Sequence, residues 1–533
     1  MKLKEECKLI IVSFLVFISM VIYGFFSEGT YQYDDVTHFY LAKKSWKNPE
    51  NFLSVWGRPA YTIAYSLPAQ FGFFGARIFT SLLAASACFL SGIIAKYYRI
   101  DRYFLVPVFV AIQPLYLMLS FSFLTETIFS FFLVMGLLFL INRHYVLSSV
   151  FISFLPLTRH EGVVFILMWI IMLIINKRSY CVLLLFLPMA LWNIVYYIST
   201  GDFPFEIYLN PIPTTKYGFG SPLHYVFMFP FLTGISLLFL FEIGFVKILL
   251  EEIKFRWEIV LTFIIYFLAQ SIIYAKGSYA SGGYLRFLAV LSPIIGIISL
   301  EGYNHLLANK REKFLDILLI FLTLLTFFSL FFGLYNFYEP TRLEKINSLS
   351  SSHNKLLPTK YQILILSTTV TNIILFLILK IYRLNAVIKN IRNYMAVLLV
   401  LFITIIVCLF EVRPYDLSKQ AVAIKQASFW VNENTNISRE VIIIDRYSTS
   451  ATTWFNHFLN IDIAQENFMP INKDNIDGLK SGSILILHSR SAAQDAEFFK
   501  ERINRGSVRL LESFSTPYDH KHRRFTVYIY EIL

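Results

Sequence analysis

The chain has 533 residues, of which 56% are hydrophobic, 17% aromatic and only 15% charged. A soluble domain is typically about one-quarter charged, so this composition excludes a water-soluble globular protein of the same size. The formal net charge of +12 would suit a nucleic-acid binder, but many of the Lys and Arg stand in short loops between apolar runs. There the positive-inside bias and attraction to anionic headgroups account for them.

Apolar runs of roughly 18 or more residues recur along the chain and read as membrane helices. The first, Leu9 to Phe26, follows Lys2, Lys4 and Lys8. It is long for a secretory signal and no clear small-x-small cleavage site follows it, so it reads as the first span. Further spans are expected near 74–97, 103–121, 124–141, 145–158, 161–176, 181–199, 224–246, 257–275, 285–306, 314–337, 361–381 and 393–411, which makes about thirteen. The pair 145–158 and 161–176 is short and reads equally as one re-entrant hairpin.

Lys96/Arg99/Arg102, Arg143, Lys177/Arg178, Lys254/Arg256, Lys310/Arg311/Lys313 and Lys380/Arg383/Lys389/Arg392 fall at span ends of one parity. That side is expected to be cytoplasmic. The segments 27–73, 200–223, 338–360 and the tail from about 412 then lie outside, in a multi-pass protein of the plasma membrane. In the tail, Val441–Ile444 and Ile484–Leu487 read as buried strands, and Phe525–Ile532 alternates like an edge strand. Ala492–Asn504 reads as a helix stopped by Gly506. The expected fold is therefore an α-helical polytopic membrane domain, 1–411, whose first external loop is 27–73, followed by a small extracytoplasmic α/β domain, 412–533. Cys7, Cys88, Cys181 and Cys408 all precede the tail, which leaves it no disulfide framework and no cysteine metal site.

The chemistry-bearing residues come in order along the chain. Asp34 and Asp35 stand in the first external segment. On a following helix Asp34, His38 and Ala42 share a face. Proton abstraction or cation binding suits the paired carboxylates; so does plain helix N-capping. Arg58, in Trp56-Gly57-Arg58-Pro59-Ala60-Tyr61, lies at the external interface, where a guanidinium can grip a lipid-linked phosphate through two donors or simply snorkel to the headgroups. Glu126 occupies a short external turn between apolar runs, a costly place for a carboxylate unless it is paired or functional. The same holds for Arg159-His160-Glu161-Gly162, where mutual pairing of Arg159 and Glu161 is the bland reading. Arg286 follows Gly282-Gly283, whose backbone N–H groups could add to its charge in holding an anion.

In this order the segments resemble the GT-C superfamily of polytopic glycosyltransferases, and most of all the branch of protein O-mannosyltransferases and lipid A aminoarabinose transferases. The matching elements are Asp34-Asp35 with His38, Phe39, Ala42 and Lys43, then Arg58-Pro59-Ala60-Tyr61, Ala76-Arg77, Glu126 and Arg159-His160-Glu161-Gly162. They lie within the first 180 residues or so; beyond that only the architecture is similar. Two departures leave the subfamily and the sugar open: Ala60 stands where the family has a second Pro, and Glu126 where it often has Asp.

The resemblance implies an inverting transfer from a polyprenyl-phosphate-linked sugar to a protein, lipid or glycan acceptor on the outer face. It makes Asp34 the general base, with Asp35 and Glu126 holding the acceptor or a cation. Arg58 and Arg286 would bind the donor phosphate, with His38, Arg159, His160 and Glu161 lining the site. A divalent cation is a candidate cofactor, though no metal-ligand cluster stands out. The competing class is a transporter, flippase or polymerase of lipid-linked glycans, but the chain lacks the internal repeats that transporters often carry. The topology has a direct test. A single Cys introduced near Ser448 is expected to react with an impermeant thiol reagent added outside, and one near Lys310 is not; the reverse pattern would overturn the orientation.

Overall fold

The computed structural model describes residues 4–31, 33–204, 219–278, 282–307, 412, 414–434, 441–444, 454–455, 457–459, 468–469, 480–488, 507–517 and 524–533. The spans expected over 314–337, 361–381 and 393–411 and the helix expected over Ala492–Asn504 lie outside these residues. The chain divides into two units, Met1–Phe25 with Leu41–Arg413, and Phe26–Tyr40 with Pro414–Leu533.

The first unit opens with α1 (Glu5–Phe25), whose 21 residues extend about 31 Å at a rise of 1.5 Å each, the thickness of a bilayer core. The sequence is apolar on every side, and its two faces differ in what covers them. Leu9, Ser13, Val16, Met20 and Gly24 recur every three or four residues and are buried against α4 (Gly72–Tyr97). Ile10, Ile11, Phe14, Leu15 and Ile22 on the other side are exposed, as suits a lipid-facing surface. Between these two helices in the chain come α2 (Tyr33–Lys44), whose residues up to Tyr40 belong to the second unit, and α3 (Pro59–Tyr65). After them come α5 (Val106–Ala111), α6 (Pro114–Leu119), α7 (Glu126–Ile141), α8 (Tyr145–Ser153), α9 (Leu155–Thr158), α10 (Val163–Ile175) and α11 (Val182–Thr200). The remaining helices of this unit are His224–Thr233, Ile235–Lys247, Ile253–Lys276 and Ser292–Leu307.

Among the described residues five stretches are long and apolar enough to cross a membrane: Glu5–Phe25, Pro68–Tyr97, Ser179–Thr200, Arg256–Lys276 and Leu285–His305. A bent pair, His224–Thr233 with Leu237–Leu250, makes a sixth if counted as one span. Glu126–Ile141, Tyr145–Thr158 and His160–Ile175 are apolar but shorter. The protein is an integral membrane protein; among the described residues fewer stretches reach full span length than the sequence suggests over them.

One expected span is not a continuous helix. Residues 103–121 form two short helices, α5 and α6, with a break at Gln113 (φ −70°, ψ 117°). Pro114 supplies no N–H and keeps the residue before it out of helical backbone. Gln113 repairs the break, its amide donating to the Phe109 carbonyl at 3.1 Å and the Ser292 carbonyl at 2.8 Å. Pro114 lies against Gly234, the second break, where the bent pair turns by 115°. Irregular backbone is tolerated at membrane depth where protein surrounds it.

The central element is Leu285–His305, whose most apolar window is wholly buried. Its helix Ser292–Leu307 packs on Ile235–Lys247 with the backbones almost touching. A Cβ on Gly302 would overlap the Leu240 carbonyl oxygen, and one on Gly244 the Ile298 carbonyl oxygen. Such close approach through small residues is how helices associate where burial from water supplies no drive.

In the second unit five strands form one mixed sheet in the order β2-β1-β3-β5-β4: β1 (Val441–Ile444), β2 (Phe468–Met469), β3 (Ile484–His488), β4 (Val508–Ser515) and β5 (Thr526–Ile532). β1 runs parallel to β2 and β3, and β5 antiparallel to β3 and β4. Every residue of β3 is buried, as expected of a continuous apolar run in a sheet covered on both faces. The helix Lys419–Asn434 packs on β4 and β5 through Ala421, Ile424, Ala427, Ser428 and Val431. β5 is not the edge strand its alternation suggested. That pattern reports which face is buried and is silent on whether both neighbours are present. The edges are β2 and β4, and β4 leaves Arg509, Leu510, Glu512 and Ser513 exposed.

The glycine contact generates a prediction. Gly302→Val must push two backbones apart and is expected to destabilise the protein by about 3 kcal/mol or more, at or above the upper range for overpacking. A lowered thermal midpoint in detergent would record it, and a midpoint equal to wild type would refute the contact.

Candidate active site

Four separate stretches of the first unit deliver charged side chains to one place. Glu126 opens α7 and is 1% exposed. Its Oε1 accepts from Arg159 Nη1 at 2.7 Å and lies 3.5 Å from Arg286 Nε. Among the described residues its Oε2 has no hydrogen-bond partner. A carboxylate in the first turn of a helix is also favoured by the dipole.

Arg159 stands in extended backbone (φ −156°, ψ 139°) between α9 and a single turn, His160–Gly162, that leads into α10. It is the hub. Nη1 also donates to Thr125 Oγ1 at 3.1 Å, and Nη2 donates to Glu161 Oε1 at 3.1 Å. The guanidinium carbon lies 4.2 Å from the centre of the Phe287 ring, within cation–π range. The chain can double back here because of Gly162, where a Cβ would overlap the Leu155 carbonyl carbon.

Arg58 caps the start of α3 in left-handed backbone (φ 61°). A side chain there costs of order 1–3 kcal/mol, and such strain clusters at functional sites. Pro59 begins the helix with its fixed φ and keeps Arg58 out of helical backbone. The Arg58 Nη1 hydrogen-bonds His160 Nε2 and donates to the Val55 carbonyl at 3.4 Å. Arg286 is 9% exposed on the 3-10 turn Leu285–Leu291, with Tyr284 and Phe287 rings each 5.5 Å from its guanidinium carbon.

The cluster therefore joins Arg58, Glu126, Arg159, His160, Glu161 and Arg286, six of the residues singled out in the sequence. Both expected pairings occur: Arg159 bonds Glu161, and it also neutralises Glu126. Three guanidiniums face two carboxylates, a formal excess of one positive charge before His160 is counted. Such a set is suited to receiving an anion. Sequence reading missed Tyr266, which is fully buried, in the field of Glu161, Arg159 and Glu126, and accepts from Gln270 at 3.0 Å. Its signal was a polar pair four apart, Tyr266 and Gln270, inside an apolar run.

Asp34, Asp35 and His38 belong to the second unit. Asp35 is fully buried and its Oδ2 accepts the Tyr31 N–H at 2.8 Å, so it secures the start of α2 from inside the first turn. Asp34 is half-buried and His38 buried. The segment bearing them is tied to the tail. The Gly29 N–H donates to the Tyr415 carbonyl at 2.7 Å, the Tyr415 N–H to Ser27 Oγ at 2.9 Å, and Glu28 pairs with Lys425 at 3.4 Å. Burial pushes the Tyr40 hydroxyl above the ordinary tyrosine range, so it keeps its proton and hydrogen-bonds His457 Nδ1 at 3.1 Å. Among the described residues no three His, Cys, Asp or Glu side chains gather as a metal site.

The hub predicts its own sensitivity. Arg159→Met removes the 2.7 Å partner of Glu126, leaving it only Arg286 at 3.5 Å, and also strips Glu161 of its ion pair; it is expected to destabilise by about 3 kcal/mol or more. Adding Glu126→Gln to that variant is expected to restore part of the loss. Thermal unfolding of these two variants together with Glu126→Gln alone measures the coupling, and additive losses would show that the pair is not coupled.

No family model and no curated protein matches the chain. Solved structures do. The crystal structures of ArnT from Cupriavidus metallidurans, one bound to undecaprenyl phosphate and one in the apo state, each match with a TM-score of 0.59 over 98% of this chain and 97% of theirs, at 10% identity. The chain has the fold of these ArnT structures.

Proposed function

We propose that this protein is a membrane glycosyltransferase that moves a sugar from a polyprenyl-phosphate-linked donor to an acceptor on the extracytoplasmic face, with inversion. The observation that carries the reading is the cluster of buried Arg159 and Arg286 with half-buried Arg58, built from the motif segments of an ArnT-like fold. A lipid phosphate leaves with growing negative charge, and pre-placed guanidiniums lower the barrier to its departure. The undecaprenyl phosphate bound to ArnT supports a donor of this class.

Within this reading Arg58 and Arg286 take the phosphate, Arg58 held by His160 and Arg286 by Glu126. Glu126 serves by orienting two arginines, with Oε2 available to a hydroxyl of donor or acceptor. Asp34 is the general base that removes the acceptor's proton as the new glycosidic bond forms; Asp35 keeps its helix in place.

Mass spectrometry of lipid-linked sugars and envelope glycans, with and without the protein, tests the proposal. Loss of one glycan together with accumulation of a polyprenyl-phosphate sugar is expected. Asp34→Asn should reproduce that pattern by slowing transfer about 10²-fold or more, because an Asn retains any capping role. Arg286→Lys should weaken use of the donor, since Lys lacks the planar fork. Unchanged lipid-linked pools without the protein would reject the activity and favour a transport role.

A further inference from the structure

Three helices of the first unit end in the same way. At the end of α4 the Ile100 N–H donates to the Ala95 carbonyl at 3.0 Å and the Arg99 N–H to that of Lys96 at 2.9 Å. At the end of α7 His144 donates to Phe139 at 2.8 Å and Arg143 to Leu140 at 3.0 Å. At the end of α10 Arg178 donates to Leu173 at 2.8 Å and Lys177 to Ile174 at 2.9 Å. These are Schellman turns, which hold the residue beyond the helix cap in left-handed backbone. That residue is Arg99 (φ 55°), Arg143 (φ 63°) or Lys177 (φ 58°).

Glycine is the usual occupant, because a Cβ is strained there. The chain does use glycine at helix ends of the opposite direction: Gly201 (φ 78°) closes α11 and Gly277 (φ 65°) closes Ile253–Lys276. α4, α7 and α10 run alike, with α5–α6 and α8–α9 returning between them, so the basic left-handed residues mark one end of the bundle. Compensation of the helix dipole does not require that position. Lys96 and Lys276 already place a cation in the last turn of their helices without left-handed backbone.

Two further observations say what the side chains meet. Arg99, Arg143 and Lys177 are exposed, and among the described residues none of the three has a side-chain hydrogen bond or ion pair. Each also borders the exposed apolar surface that faces lipid. Tyr97 precedes Arg99, Val146 and Leu147 follow Arg143, and Ile174 and Ile175 precede Lys177, all exposed. Cations at the rim of an apolar band sit at headgroup depth. The ends are also cross-linked, Tyr145 donating to Asn176 at 3.2 Å with Arg178 5.6 Å from the Tyr145 ring.

We propose that Arg99, Arg143 and Lys177 form a basic collar that binds the headgroups of anionic phospholipids, and that these lipids stabilise the membrane unit. Strained backbone is retained at these three helix ends because the side chain has a ligand there.

The test uses the full chain in nanodiscs of phosphatidylcholine alone or with about one-third phosphatidylglycerol, reading the thermal midpoint. Wild type is expected to gain several degrees from the anionic lipid. The triple variant Arg99→Gly, Arg143→Gly, Lys177→Gly should match or exceed wild type in phosphatidylcholine, since glycine relieves the backbone, and should lose most of the anionic-lipid gain. Arg99→Lys with Arg143→Lys should keep it. Inorganic phosphate at matched ionic strength should stabilise neither protein, which separates lipid from free anion. If the triple variant does not fold, native mass spectrometry of wild type against each single glycine variant reads retained phosphatidylglycerol instead. A full gain in the triple variant, equal retention by the single variants, or a loss of stability in phosphatidylcholine alone would each overturn the collar.

Discussion

The ion pair between Glu126 and Arg159 is the constraint around which the membrane unit is organised. Neither charge is tolerable alone in a bilayer-spanning protein, where an unpaired buried ion costs several kcal/mol. Each therefore fixes the other, at 2.7 Å. Because Glu126 opens α7 and Arg159 interrupts the chain before α10, that distance fixes the start of α7 against the start of α10. Glu161, Arg286 and the ring of Phe287 then converge on the same pair. A positively biased site follows from pairing three guanidiniums with two carboxylates.

The rest of the unit keeps that cluster dry and in place. The 3-10 turn carrying Arg286 leads straight into the helix Ser292–Leu307, buried as far as Tyr303, and the close contact at Gly244 and Gly302 limits how far that helix can shift. The breaks at Gln113–Pro114 and at Gly234 meet one another, so the irregular backbone of each is satisfied inside the protein. Apolar side chains that find no such partner, on α1 and α11 above all, face lipid.

The second unit has a different logic. Its sheet is ordinary α/β architecture, yet it includes residues 26–40 from the far end of the sequence. The backbone bond between Gly29 and Tyr415, the Glu28–Lys425 pair and the Tyr40–His457 hydrogen bond make the Asp34-Asp35 segment part of the tail's own packing. The tail is thereby more than an appendage: it shares a unit with Asp34 and Asp35.

By itself the sequence determined the class of protein, because apolar runs of bilayer length and basic loops of one parity are local properties that no tertiary contact can disguise. It also marked the charged residues worth attention, since a Glu or Arg between apolar runs stands out against its surroundings. The strands Val441–Ile444 and Ile484–His488 were legible for the same reason. Tertiary structure decided what these residues touch. That Arg159 would join Glu126 as well as Glu161, and that Arg58 would meet His160, depends on segments about thirty to one hundred residues apart, whose separation no periodicity records. The interior place of β5 and the break in 103–121 likewise depend on neighbours, since alternation and hydropathy report burial and not what lies alongside. Tyr266 stayed hidden because one hydroxyl on an apolar helix looks like packing until the charges beside it are seen.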